Sequence, residues 1–216
     1  MRWSRVNPCS SGFFHSAVIL ALLSFPSVLA VNRAAAGTIH SVVEFRAPDF
    51  RVEPTAQGAR YSLGDCPRWN RPGAPSVPFR TVYVAIPEGE SVIDVRVTAG
   101  NAVDLGPLPA PAPGMSRPGA ERDAWDGRTA WPEVSFSTGE TGWMRGVQLQ
   151  SVILWPVRWD PAAGRARLTT SYDIEVVTGP AGPLPEGVWK PARTGTASEI
   201  DFRRRISRLV LNPAEL

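Results

Sequence analysis

Beyond the first thirty residues, the chain has one cysteine and one histidine that could support nucleophilic catalysis, and they lie in unrelated stretches. Cys66 occurs in GDCPRWN, and His40 occurs in TIHSVVEFR. A thiol becomes a catalytic nucleophile when a base such as imidazole lies within hydrogen-bonding reach. No local pattern brings Cys66 and His40 together, so a small Cys66-dependent enzyme is only a minor alternative. We expect a lone thiol, partly buried or exposed, and no catalytic residues on this chain.

Residues that bind metals or cofactors are equally scarce. Zinc requires three or four His, Cys or carboxylate ligands, and the whole sequence has only two His and two Cys. The acidic residues Glu121, Asp123 and Asp126 are interrupted by Arg122 and provide a calcium site as a weaker alternative. No glycine-rich phosphate loop follows a strand, and no strand face combines basic and aromatic residues as in nucleic-acid binders. We therefore expect no metal, no cofactor and no nucleic-acid partner.

The first thirty residues have the pattern of a secretory signal peptide. The basic start MRWSRVN precedes the apolar stretch FFHSAVILALLSFPSVLA, which ends in small residues at Ala30. Cleavage is expected after residue 30, or after Ala36 at a second group of small residues. A membrane anchor is the alternative, but the apolar run is shorter than the ~20 residues that a spanning helix needs. The mature protein is expected to be secreted, periplasmic or at the cell surface, without a membrane segment.

The net charge gives no support for a nucleic-acid or acidic-membrane partner. The whole chain has a formal net charge of +3, and removal of the signal peptide lowers this value by two because Arg2 and Arg5 are lost. Cys9 is lost with the same segment. Cys66 is then the one cysteine of the mature chain, so no internal disulfide is expected.

Short stretches of alternating apolar and polar residues predict β-strands at 38–46, 80–87 and 91–99. Glu88 and Gly89 form a turn between the last two stretches, so we expect these two strands to be neighbours. Their predicted inward side chains are Val82, Val84, Ile86, Ile93, Val95 and Val97.

The clearest predicted element is a long hairpin between residues 147–159 and 165–177. Pro161 favours a type I turn, and Gly164 favours a left-handed exit from it. Pro156 has no N–H for a strand ladder, so the first strand is expected at a sheet edge or bulged at that point. The predicted inward side chains are Val147, Leu149, Ile153, Trp155, Val157 and Trp159 in the first strand, and Leu168, Tyr172, Ile174 and Val176 in the second.

These elements predict an all-β protein, a β-sandwich of short antiparallel strands over residues 37–180. Residues 106–128 are rich in proline, glycine and charge, and they predict a long extended loop that is either functional or disordered. Residues 181–216 begin as a linker and then predict a short helix with Ser198 as its N-cap. Ile200, Ile206 and Leu209 are expected near one face of that helix.

The sequence contains eight tryptophans. Trp155 and Trp159 share the predicted inward phase of their strand, which favours packing in the core. The remaining tryptophans of the predicted domain lie in or beside loops, where an amphipathic aromatic residue serves as often in a contact surface as in packing. These loop residues are Trp69, Trp125, Trp131 and Trp143.

Two segments together resemble the N-terminal propeptide of the gingipain family of cysteine endopeptidases, peptidase family C25. They are PGAPSVPFRTVYVAIPEGESV, from residue 72, and MRGVQLQSVILWPVRWDPAAGRARLTTSYDIEVV, from residue 144. The resemblance covers about residues 40–178. The residues that match the family motifs are Pro72, Gly73, Pro75, Pro78, Pro87, Gly89, Arg145, Gly146, Pro156, Trp159, Asp160, Pro161 and Gly164.

The resemblance implies a noncatalytic β-sandwich that assists the folding of a caspase-like cysteine peptidase and keeps it latent. The expected partner is that cognate peptidase domain, and the stretch RLVLN resembles the junction that leads into it. Residues 181–216 are therefore expected to be the linker and the start of a peptidase domain that this chain lacks. A truncated gene model, a fragment and a module that exists alone all remain open.

In relatives that cleave after basic residues, a basic side chain on a propeptide loop fills the specificity pocket. The resemblance makes Arg117, Arg122 and Arg128 candidates for that role, and simple solvated arginines are the alternative. The alternative for the whole chain is a secreted β-sandwich that binds or adheres through exposed tryptophans.

Overall fold

A computed structural model describes residues 37–114, 125–183 and 196–216 of the 216-residue chain. The predicted signal peptide, including both cleavage positions, lies outside these residues. The strands are β1 (Gly37–Glu44), β2 (Phe50–Thr55), β3 (Gly58–Leu63), β4 (Arg68–Trp69), β5 (Val77–Pro78), β6 (Arg80–Ile86), β7 (Glu90–Ala99), β8 (Ala102–Pro107), β9 (Phe136–Met144), β10 (Val147–Leu154), β11 (Val157–Asp160), β12 (Arg165–Thr169) and β13 (Ser171–Pro180). One α-helix, α1 (Ala197–Ile206), follows them.

The described strands form several small antiparallel sheets, which confirms the all-β prediction. Three sheets have three strands each, in the orders β1-β13-β7, β6-β10-β9 and β11-β12-β8. Two further pairs, β2-β3 and β4-β5, complete the described sheet structure. The middle strands β10, β12 and β13 come from the carboxyl-terminal half of the chain, and four of the eight described strand pairs join residues that are distant in sequence.

One hydrophobic core joins the inward faces of the larger sheets and the β2-β3 pair. Strand β13 contributes Tyr172, Ile174 and Val176, whose exposed fraction is 0% for each. Val84 of β6 and Val152 of β10 are also fully buried. Full burial of one aliphatic side chain of this size contributes about 1.5–3 kcal/mol. The inward faces predicted for residues 82–86 and 168–176 are therefore confirmed.

The predicted long hairpin is wrong, because both of its strands are divided, the first at Trp155 and Pro156 and the second at Thr170. The chain forms β10 up to Leu154 and then passes from the β6-β10-β9 sheet into the β11-β12-β8 sheet at Trp155 and Pro156. Proline cannot donate to a ladder, so the run of apolar residues is divided at this position. Only the short part between β11 and β12 pairs as a hairpin, and β13 pairs with β1 and β7 instead.

The inward face predicted for residues 147–153 is wrong, although β10 does alternate. Val152 and Leu154 enter the main core, whereas Leu149 belongs to a separate cluster and Ile153 packs against a third one. Gln150, predicted to face water, is only 3% exposed. Strand β10 stays in register with β6 from Gln148 to Leu154, so its side chains alternate regularly and the even-numbered ones face the main core. The register shift in its pairing with β9 places the extra residue on β9.

The prediction that residues 80–87 and 91–99 form neighbouring strands is wrong. Strand β6 pairs with β10, whereas β7 pairs with β13. The inward position of Ile93 is wrong as well, because its exposed fraction is 63%. The pairing register shifts between Val177 and Thr178 of β13, so Val92 takes the place next to the core and Ile93 points to solvent.

Helix α1 is present, but its details differ from the prediction. Thr196 is the N-cap, and its side chain accepts a hydrogen bond from the backbone N–H of Glu199, so Ser198 lies inside the helix. Ile206 is buried, with 1% exposed, whereas Ile200 and Leu209 are 60% and 55% exposed. No helix within the described ranges is long and apolar enough to cross a membrane.

We predict that replacement of Ile174 by alanine lowers the free energy of unfolding by about 2–5 kcal/mol, because the site lies in the middle of the core and leaves a cavity. Replacement of Ile200 by alanine is the matched control. Its side chain faces solvent, so a change within about 0.5 kcal/mol is expected. Urea denaturation of both variants measures the difference, and equal losses would contradict the assignment of the core.

Candidate functional site

Five indole rings form one contiguous group, here called the tryptophan cluster: Trp69, Trp125, Trp131, Trp155 and Trp159. Trp69 of β4 stacks on Trp131 with 5.3 Å between ring centroids and 9° between planes. Trp155 lies 4.6 Å from Trp69, and Trp125 lies 6.2 Å from both Trp131 and Trp159. Offset stacking at these distances adds stability beyond simple burial.

Arg71 covers the stacked pair on one side. Its guanidinium carbon lies 5.2 Å from the ring centroid of Trp69 and 5.8 Å from that of Trp131. A cation at this distance over an indole face is attracted by the ring quadrupole. The half-buried Arg71 and Trp69 therefore form the accessible side of the cluster.

The remaining rings of the cluster are held by hydrogen bonds and burial. The indole N–H of Trp131 donates to the carbonyl oxygen of Pro75 at 2.9 Å. The backbones of Trp131 and Trp159 exchange two N–H to O bonds of 2.8 Å each. Trp131, Trp155 and Trp159 are 4%, 5% and 7% exposed, so they are packing residues. Core packing is confirmed for Trp155 and Trp159, and Trp131 takes the same role.

The chain enters the segment 115–124 from a strip, residues 108–114, that is fixed along its length. Backbone N–H groups of Ala112 and Gly114 donate to the carbonyls of Ala59 and Ala74 at 2.7 and 2.9 Å. The N–H of Ser76 donates to the carbonyl of Ala112 at 2.8 Å. The predicted loop 106–128 is therefore an ordered strip in this first part.

The chain returns from the segment 115–124 at Trp125, directly into the cluster. Its indole N–H donates to the carbonyl of Thr129 at 3.1 Å. The side-chain Oδ1 of Asp126 accepts from the backbone N–H groups of Arg128 and Thr129 at 2.8 and 2.9 Å, which closes a turn. Hydrogen bonds from the backbone of Thr129 and then of Arg128 lower the pKa of Asp126, so this acceptor is a carboxylate at neutral pH.

Both ends of the segment 115–124 therefore lie against the same rigid group of residues. Gly114 lies against the backbone of Arg71, and Trp125 contacts Trp131 and Trp159. Of the candidate loop arginines, Arg117 and Arg122 lie outside the described residues. Arg128 is described, and its side chain is exposed beside the turn that Asp126 closes.

The proline and glycine residues of the first motif build the entry to this site. Pro72 and Pro75 form isolated bridges with Gly114 and Pro113, and Pro78 lies in β5. Gly73 has a positive φ of 82°. The motif that precedes β6 is thus the surface on which the 108–114 strip lies.

The other motif residues form turns away from the cluster. Pro87 and Gly89 turn the chain from β6 into β7, with a hydrogen bond from the N–H of Glu90 to the carbonyl of Pro87. Arg145 and Gly146 join β9 to β10, and their φ values of 46° and 82° are those of a two-residue type I′ turn. A positive φ is uncommon for arginine, so favourable side-chain contacts are expected to compensate for it at this position.

The turn between β11 and β12 has the predicted form. Oδ1 of Asp160 accepts from the N–H groups of Ala162 and Ala163 at 2.9 and 3.2 Å. Gly164 has a φ of 58°, as expected for a left-handed exit. Pro161 lies in this turn, and Pro156 lies at the passage between sheets, where its carbonyl accepts from the N–H of Thr169.

Cys66 and His40 lie in different surroundings. Cys66 borders a cleft lined by Glu44, Asp65 and Arg80 among others, and His40 is not part of that lining. Burial raises the pKa of the Cys66 thiol, which disfavours the thiolate that a nucleophile requires. Among the described residues, no group of three or more His, Cys, Asp or Glu side chains has the arrangement of a metal site.

The fold is similar to that of a solved structure, a complex of the RgpB pro- and mature domains from Porphyromonas gingivalis. The match has 11% identity and a TM-score of 0.51, over 83% of this chain and 93% of that chain. The chain has a gingipain propeptide-like fold. A structure concerned with the zymogenic latency of gingipain K from the same organism matches at 19% identity and a TM-score of 0.49, over 68% of this chain and 95% of that chain. No family model and no curated protein matches the sequence.

This propeptide-like fold agrees with the resemblance carried by the two sequence motifs. Sequence reasoning did not find Arg71 or the 108–114 strip. The repeated prolines of the strip indicate an extended backbone. The strip is held by backbone hydrogen bonds to residues 59 and 74–76, which require no alternation of apolar and polar side chains, so the sequence shows no strand pattern there.

We predict that replacement of Gly114 by alanine displaces the strip. The added Cβ would lie 2.5 Å from the backbone carbonyl oxygen and 2.9 Å from the backbone nitrogen of Arg71. These backbone atoms could move away only with a shift of the chain, which costs free energy. A loss of about 1–3 kcal/mol in unfolding free energy is expected, together with faster hydrogen exchange at Ala112.

Gly142 of β9 is the control for this variant, because a Cβ there meets nothing within 4 Å. Alanine at position 142 should leave exchange at Ala112 unchanged. Equal exchange rates at Ala112 in both variants would contradict the close approach of Gly114 to Arg71.

Proposed function

We propose that this chain is the propeptide of a secreted gingipain-like cysteine endopeptidase, and that it aids the folding of the peptidase and keeps it latent. The observation that carries the proposal is the likeness of the fold to a pro-domain structure that contains its mature domain. The signal-peptide pattern of residues 1–30 supports secretion. The chain itself is noncatalytic in this proposal, since its one described thiol is partly buried with a raised pKa.

The tryptophan cluster supplies the physical basis for inhibition. A loop whose two ends are fixed before binding loses less conformational entropy when it enters a cleft than a loop with free ends, and it binds more tightly for that reason. The residues at the two ends of the segment 115–124 are fixed by hydrogen bonds, by the tilted contacts of Trp125 with Trp131 and Trp159, and by the close approach of Gly114 to Arg71. We infer that this segment and the turn after it contact the cleft of the cognate peptidase domain.

An arginine in this region fills the specificity pocket of the peptidase in our proposal. The candidates are Arg117, Arg122 and Arg128. Guanidinium binds a carboxylate through two parallel hydrogen bonds, so an acidic pocket would select arginine strongly. Arg128 has an ordered backbone in the Asp126 turn and an exposed side chain, and both features favour recognition by a partner.

A free-standing binding or adhesion module on the same fold is the second candidate. This alternative requires exposed tryptophans that could contact a glycan or a protein. Three of the five rings in the cluster are at most 7% exposed, which leaves Trp69 and Trp125 as its half-buried members. The aromatic surface that the cluster offers to a glycan is therefore small, which favours the propeptide role.

We predict that the purified chain without its signal peptide inhibits the cognate mature peptidase when the two are mixed. Alanine at the arginine that fills the pocket should weaken inhibition about 30-fold or more, because a desolvated charge pair that loses one partner costs about 2 kcal/mol or more. Inhibition constants for R117A, R122A and R128A, measured separately, identify the residue.

Arg158, which is exposed on β11, provides the control, and R158A should inhibit as well as the unchanged chain. Full peptidase activity in the presence of a large excess of folded chain would rule out the latency role. Glycan binding by that same chain would then favour the adhesion module.

A further inference from the structure

The outer edge of β6 is occupied by the end of the chain. Strand β6 pairs with β10 along one edge, from Arg80 to Ile86. Along its other edge, Val210 forms a parallel bridge with Tyr83, and the N–H of Leu211 donates to the carbonyl of Tyr83 at 2.9 Å. An exposed strand edge offers unpaired backbone groups to any extended segment, and here residues 210–212 take that position.

Asn212 continues this pairing with its side chain. Its Oδ1 accepts from the backbone N–H of Ala85 at 2.8 Å, and its Nδ2 donates to the carbonyl of Ala85 at 2.8 Å. A carboxamide presents one acceptor and two donors in a plane, so it satisfies both backbone groups of one residue. A carboxylate of the same size could accept from the N–H of Ala85 but would repel its carbonyl oxygen.

Apolar contacts reinforce the edge on the face of the sheet that points away from the main core. Ile206 and Val210 pack with Ala85 of β6 and Leu149 of β10. Their exposed fractions are 1% for Ile206, 8% for Val210, 0% for Ala85 and 7% for Leu149. This cluster is separate from the main core, and half of its buried members come from the end of the chain.

The terminal segment is also well formed within itself. Thr196 caps α1, Glu199 pairs with Arg203 at 3.1 Å, and Arg203 Nη1 donates to the carbonyl oxygen of Leu216 at 2.7 Å. Helix and tail are thereby joined to each other. Residues 196–216 are here called the C-terminal clip.

A second contact joins the clip to the sheet at the β9-β10 turn. The guanidinium carbon of Arg145 lies 5.3 Å from the ring centroid of Phe202, and its Nη1 donates to Oγ of Ser198 at 3.3 Å. Arg145 holds a positive φ of 46°. Its side-chain contacts with α1 give a reason for arginine at a turn position that usually favours Asn or Gly.

We propose that the β6 edge is a binding site for an extended peptide that carries an Asn, and that its occupant is the chain's own C-terminal clip, bound without need of the covalent linker. A chain cut between residues 183 and 196 therefore stays together as one particle. Backbone pairing gives the affinity, as in other cases of strand addition, and Asn212 with the pockets for Ile206 and Val210 gives the specificity. This inference does not depend on the proposed propeptide role.

The test uses the mature chain with the recognition sequence of a specific protease inserted between residues 188 and 189. After complete cleavage at low micromolar concentration, we expect both pieces to elute together from a size-exclusion column. In N212A the buried backbone groups of Ala85 lose both partners, so the dissociation constant of the clip should rise about 10- to 100-fold. N212D should be at least as weak.

Asn101 provides the matched control, because it is exposed and its described hydrogen bonds use its backbone carbonyl. N101A should keep both pieces together. Circular dichroism of each uncut variant shows whether it is folded, and V210A replaces N212A if the latter fails to fold, with a smaller rise expected. Immediate separation of the unchanged pieces, or equal retention in N101A and N212A, would overturn the proposal.

The uncut chain provides one more outcome. A clip that binds its own body gives a monomer in size-exclusion chromatography with light scattering. A dimer held by exchanged clips, which N212A would dissociate, would overturn the assignment of the occupant to the same chain.

Discussion

The architecture depends on the backbone constraint at Pro156. The run from residue 147 to 159 is predicted from the sequence as one strand. Proline has no N–H to donate, so the ladder ends after Leu154 and the chain continues in another sheet. Trp155 and Trp159 lie on either side of this passage, and both reach the tryptophan cluster.

That passage links the main core to the tryptophan cluster. The hydroxyl of Tyr172, at the centre of the core, donates to the carbonyl of Trp155 at 3.0 Å. The backbone of Trp159 pairs with that of Trp131, whose ring stacks on Trp69. The site that fixes the ends of segment 115–124 is thereby supported by the most buried part of the protein.

The β6-β10-β9 sheet has apolar residues on both faces, and each face has a different neighbour. Val84 and Val152 face the main core, whereas Ala85 and Leu149 face the clip. A strand that is apolar on both faces needs a packing partner on each face. The second partner here is the clip, whose residues lie far along the chain. The edge pairing by Leu211 and Asn212 completes the protection of β6 from other strands.

Local chemistry was sufficient to predict a good part of this protein. The all-β class, the strand at residues 80–86 and the Asp160–Gly164 turn follow from alternation, turn residues and proline positions, whereas residues 165–177 form two strands in place of the one predicted. These features depend on a few neighbouring residues, and a pattern of period two contains the necessary information. The inward faces of Val84 and Ile174 were predictable for the same reason.

Only the tertiary structure decided which strands are partners and which side chains meet. The separation of β6 from β7, the outward turn of Ile93 and the convergence of five tryptophans all depend on pairings between distant residues or on register shifts. The burial of Gln150 has the same origin. Sequence alternation defines the two faces of a strand, but a one-residue shift exchanges them, and the energy that selects the register comes from the whole packed core.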